Sequence, residues 1–139
     1  MPLDAKRLQR VHRVRTLQLG LAQAGEAKAR DDMASEQALA HRITQLVGAV
    51  APQPGAANSL AAAAHFRDRL QRSAEAATNR VRTAEAAMGR ASEATRAARQ
   101  EQTAVEKLIE RARAVETEAE IRAMQDLPGT PRVVRHDPC

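Results

Sequence analysis

LQRSAEAATNRVRTAEAAMGRASEATRAARQEQTAVEKLIERARAVETEAEIRA, residues 70–123, is the stretch that decides the fold. Taken alternately four and three residues apart, it yields Leu70, Ala74, Ala77, Val81, Ala84, Met88, Ala91, Thr95, Ala98, Gln102, Val105, Ile109, Ala112, Glu116, Ala119 and Ala123. Thirteen of these sixteen are apolar, and only Thr95, Gln102 and Glu116 interrupt the stripe. A 3.5-residue apolar repeat sustained this long is the seam of a coiled-coil helix. No proline breaks it, and Gly89 is its only glycine. The remaining positions are mostly Arg, Glu, Gln, Ser and Ala, which suit solvated faces. A helix draws most of its stability from packing its apolar face, so this one requires a partner helix. Its many alanines allow the two axes to approach closely.

Upstream, the spacing predicts a first helix over residues 4–47, with Asp4 as N-cap. Leu8, Val11, Val14, Leu17, Leu21 and Ala24 recur at spacings of three and four. The stripe fades through Lys28, Asp31 and Asp32 and resumes, in a shifted frame, as Leu39, Ile43, Leu46 and Val50. Such a shift implies a local change of supercoil. Gly20 and Gly25 weaken this helix and are read as permitting close backbone approach. Between them the two helices hold a breaker cluster, Gly48, Pro52, Pro54, Gly55 and Asn58, which makes residues 48–59 a linker. Asn58 or Ser59 is the expected cap of a second helix over residues 60–126, and residues 128–139, opening Pro128-Gly129, are expected to be a disordered tail.

The expected fold is therefore all-α: two long helices forming an antiparallel coiled-coil hairpin over residues 1–127. Folding back at the linker pairs the N-terminal region with residues near Val105. The second helix then overhangs by about six turns, at 3.6 residues per turn. Ile109, Ala112, Val115 and Ile121 fall in that overhang as a candidate partner surface.

Composition agrees. In 139 residues there is one phenylalanine and no tyrosine or tryptophan, so a globular core with aromatic packing is excluded. Cys139 is the lone cysteine and has no partner for an internal disulfide. No apolar run has the length of a membrane span, and no secretory signal is read at the N-terminus, so a cytoplasmic location is expected. The net charge of +5 is uneven: residues 1–30 carry seven basic and two acidic side chains, and residues 101–139 carry six and eight.

Catalysis finds no support. His12, His41, His65 and His136 lie far apart. Two ligands one turn apart, such as His65 with Asp68, are too few for zinc, which takes at least three from the protein. No phosphate loop and no nucleophile beside a base is present. Neither catalytic residues nor a cofactor nor a metal is expected.

Two other features stand out. Lys6, Arg7, Arg10, Arg13 and Arg15 form a basic collar. Its targets could be nucleic-acid phosphates, an anionic membrane surface or an acidic protein. Nucleic acid is the weaker option, because base-stacking aromatics are absent. Phe66 and Leu70, one turn apart at the linker end, either staple the hairpin tip against Leu46 or Val50 or dock on a partner. Thr95, Gln102 and Glu116 either fix register or sit where the seam is wet.

With these residues in view, the chain resembles the FliJ family of flagellar type III export proteins, small coiled-coil hairpins to which the injectisome YscO proteins look related. The resemblance spans nearly the whole chain. Its N-terminal motif is Lys6-Arg7-Leu8-Gln9-Arg10-Val11 followed by Val14-Arg15, and its C-terminal one is Glu106-Lys107-Leu108-Ile109-Glu110-Arg111. Glu118, Arg122, Gln125 and Asp126 fall in a further charged stretch. The resemblance implies a non-enzymatic export component, peripheral at the inner face of the cell membrane. Its implied partners are the hexameric export ATPase, the export gate membrane protein and substrate chaperones. Arg7, Arg10, Arg13, Arg15, Lys107, Glu110 and Arg111 become the ATPase-binding candidates, and Phe66 and Leu70 the export-gate candidates at the tip. The rival reading is a homo-oligomeric structural coiled coil, with arginine-rich segments that bind nucleic acid.

Overall fold

The structure is a computed structural model that describes residues 4–49, 57–129 and 138. It contains two helices, α1 (Ala5–Ala49) and α2 (Ala57–Gln125), packed along their lengths as an antiparallel hairpin. At 1.5 Å per residue they are roughly 68 and 104 Å long. Asp4 stands where an N-cap stands. Its carbonyl accepts from the N–H groups of Arg7 and Leu8, at 2.8 and 3.2 Å. At the other end α2 closes with Asp126 N–H on Arg122 O, before Pro128, which has no N–H to continue the ladder.

Both helices reach further into the expected linker than its glycines suggested. α1 runs through Gly48 to Ala49, so Gly48 does not end it. α2 starts at Ala57, which places Asn58 and Ser59 inside its first turn instead of at its cap. The alanines at 57 and 61–64 are strong helix formers and extend the helix past those two residues. The rest of the linker, residues 50–56, and most of the expected tail, residues 130–137 and 139, lie outside the described residues.

The α2 seam is the predicted one as far as Ala112; Glu116, Ala119 and Ala123, the last three predicted positions, are exposed. Every predicted position from Leu70 to Ala112 is buried or half-buried, with Ala77 fully covered and Thr95, Val105 and Ile109 below a tenth exposed. Thr95 satisfies its hydroxyl by donating to Ala91 O at 3.1 Å.

The α1 seam is a correction. The covered positions are Leu8, His12, Arg15, Leu19, Ala22, Glu26, Ala29, Met33, Glu36, Ala40, Ile43 and Val47, an unbroken alternation of four and three with no shift of frame. Of the stripe expected to pack, Leu8 is buried and Ile43 half-buried, but the positions between are exposed: Val14 is 52%, Leu17 69% and Leu21 74% accessible. The reason lies in α2. Its seam is continuous, so α1 must offer a stripe that is continuous too. Extended at heptad spacing, the Val11–Leu21 stripe reaches Lys28 and Asp32, and burying those against alanine and methionine would strip two charges of water with nothing opposite. The stripe actually used holds polar and charged side chains as well, but each has a partner. His12 Nε2 lies 3.1 Å from Glu106 Oε1, Arg15 meets Glu101, Glu36 takes a bond from Arg80 Nε at 3.2 Å, and Glu26 pairs with Arg30 at 3.3 Å.

These pairs also state the register. His12 with Glu106, Arg15 with Glu101, Gln102 with Thr16 and Arg80 with Glu36 have numbers that add to between 116 and 118 in every case. Leu8 accordingly meets Val105 and Ile109, with Ala112 against the cluster. Ile109 and Ala112 are thus inside the hairpin, and the overhang is shorter than expected. Residues 113–125, all exposed, extend past α1 by roughly 20 Å.

The glycines do not serve close approach. A Cβ built on Gly20, Gly25, Gly48 or Gly89 meets nothing within 4 Å, and none has positive φ. Gly20→Ala is therefore expected to stabilise the hairpin by about 1 kcal/mol in urea titration. Ala77→Leu is expected to do the opposite, losing about 1–3 kcal/mol by overpacking a position that is already fully covered.

Candidate functional site

The register decides what gathers at the open end of the hairpin, where α1 begins. Arg7 lies level with Glu110, and Arg10 level with Lys107, although each pair is about a hundred residues apart in sequence. Arg7, Arg10, Arg13, Lys107, Glu110 and Arg111 are all exposed there. Arg15 is not part of that free set. It sits in the α1 seam and is engaged by Glu101 and by Gln18 Oε1 at 3.0 Å, so its charge is used within the hairpin.

Two open grooves flank this end. One, about 390 Å³, is polar and lined by Gln9, His12, Arg13, Glu106, Ile109, Glu110 and Arg113. The other, about 550 Å³, has an apolar floor of Leu8, Leu108, Ala112, Val115 and Ala119, with Asp4, Arg111 and Glu116 at its edge. On the outer side of α1 the uncovered Val14, Leu17 and Leu21 continue the apolar surface. Beyond α1, Val115 and Ile121 are exposed as expected.

The tip candidates sit at the opposite end, roughly 60 Å away along α2 from Phe66 to Lys107. Leu70 belongs to the seam and is half-buried. Phe66 is 52% exposed and Leu46 54%. Val50, the other expected contact, lies outside the described residues.

Neither groove is an enclosed pocket of the kind that desolvates a small substrate. Among the described residues no three His, Cys, Asp or Glu side chains come together to hold a metal ion. No described helix is long and apolar enough to cross a membrane. What the ends offer is charge and apolar area in the form protein partners recognise. Comparison with protein-family models, curated proteins and solved structures gave no match to this chain.

Reading α1 alone missed the apolar groove and mistook the outer stripe for the seam. The signal that separates them is cross-helix. In an antiparallel hairpin, His12 and Arg15 fall opposite Glu106 and Glu101, so the polar positions of α1 have waiting partners. Arg15→Glu is therefore expected to lower stability, and the added Glu101→Arg to restore it. The coupling should be about 0.2–1 kcal/mol, because both side chains are substantially exposed. A double-mutant cycle by denaturation measures it.

Proposed function

We propose that this chain is a non-enzymatic coiled-coil adaptor of type III protein export: a hairpin stalk whose open end binds the hexameric export ATPase. One observation carries the reading. The two stretches that resemble the FliJ family, residues 6–15 and 106–111, come together at a single end of the hairpin, with Arg7, Arg10, Arg13, Lys107, Glu110 and Arg111 exposed. A mixed-sign cluster of this kind steers and orients a charged protein partner. On this reading the tip, with Phe66 exposed and Leu70 half-buried, faces the export gate membrane protein, substrate chaperones are further partners, and the chain works in the cytoplasm at the inner face of the membrane. It acts by coupling and positioning, with no chemistry of its own.

Binding to a purified flagellar export ATPase tests the proposal. The wild-type hairpin is expected to bind in a salt-sensitive manner. Arg7→Glu with Arg10→Glu is expected to abolish binding while helicity by circular dichroism stays unchanged. Unaltered binding by that variant removes the site assignment, and absence of binding by the wild type removes the export reading.

A further inference from the structure

The apolar groove at the open end is self-complementary. Its floor on α2, Leu108, Ala112, Val115 and Ala119, is spaced four, three and four residues apart, so it forms a second apolar stripe that shares the half-buried Ala112 with the seam that α1 covers. Laid antiparallel against a copy of itself, this stripe places Leu108 on Ala119 and Ala112 on Val115, each contact occurring twice about a two-fold axis. All four layers are apolar, and each large side chain meets a small one. The same alignment sets Arg111 of each copy beside Glu118 of the other, at the flank of the stripe. Arg111 lines the groove, and Glu118 is exposed on the extension.

On its α1 side the groove is bounded by Asp4 and Leu8. Past the groove, the extension of the second copy runs alongside Val11 and Val14 of the first, which are 42% and 52% exposed. Its Glu116, Glu118 and Glu120 then approach the basic collar at Arg7 and Arg10. Apolar area left open in the single hairpin is thus met by apolar area, and acidic surface by basic.

We infer that two copies of this chain associate antiparallel through their open ends, each α2 extension seated in the groove of the other. This is an isologous two-fold interface. It does not depend on the export reading, and a second copy would compete with an ATPase for the same end.

Light scattering of the full chain gives the test. The expected mass is twice the 15.1 kDa of one chain in the micromolar range. Val115→Asp, at a side chain 59% exposed and outside the hairpin core, is expected to yield a monomer with unchanged helicity. Arg111→Glu is expected to weaken the dimer, and Arg111→Glu with Glu118→Arg to restore it. A wild-type monomer overturns the inference, as does a dimer indifferent to Val115→Asp. A mass above two copies also overturns it, because the two-fold closes the interface. Since Val115 is not among the ATPase-binding candidates, loss of the dimer in that variant is separable from any loss of ATPase binding.

Discussion

Everything in this hairpin depends on the lock between two seams that could otherwise slide. Alanine at position after position of α2 gives close contact but little shape to choose one register over another. A slip of seven residues keeps the apolar layers in phase. It would, however, set Arg15 against Thr95 or Ile109, and Glu36 against Ala74 or Met88. Each slip strands charges that now reach Glu101 and Arg80. The individual pairs are exposed and worth little as stabilisers. As discriminators they matter more, because the alternative register loses them together and leaves their charges against apolar side chains. Gln102, whose amide donates to the Thr16 hydroxyl at 3.0 Å, adds a neutral bond that only one register makes.

That lock explains which parts of the fold could be read from one chain. α2 carries a single long apolar stripe, so its periodicity alone identified the seam from Leu70 to Ala112. α1 carries two. The stripe richer in bulky residues near its start, Val11 through Leu21, fails further along at Lys28 and Asp32, whereas the poorer one, through His12 and Arg15, lasts to Val47. Local hydrophobicity favours the first and length favours the second. Only the partner helix arbitrates, by requiring continuity and by supplying Glu101 and Glu106 where they are needed. The overhang was misjudged for the same reason: its length follows from the register, and the register resides in pairs 44 to 94 residues apart.

The site shows the same division. That charged residues near both termini meet at one end follows from the hairpin, and the hairpin was legible. That Arg15 is consumed by an internal pair, or that Leu108 and Val115 open into a groove, requires knowing which face α1 covers. Phe66 illustrates the limit from the other direction. Its bulk marked it as important, but whether it closes the tip or faces outward depends on where Leu46 points, and both prove half open to solvent.

The distribution of bulk along the rod gives the open end its character. Alanine is the commonest residue of the interface and buries a small area per layer, whereas Leu8, Val105 and Ile109 concentrate large buried side chains where α1 starts. Helix ends fray, and an end held only by alanine would open first. The cluster instead clamps the first turns of α1 onto α2 at the point where α2 continues alone. The extension therefore leaves the hairpin in a defined direction, with the groove at its base formed in advance. A surface ordered before its partner arrives spares the entropy of ordering it on binding. The buried cluster of Leu8, Val105 and Ile109 thus fixes the open end, where α2 continues alone, and gives the groove there a settled shape.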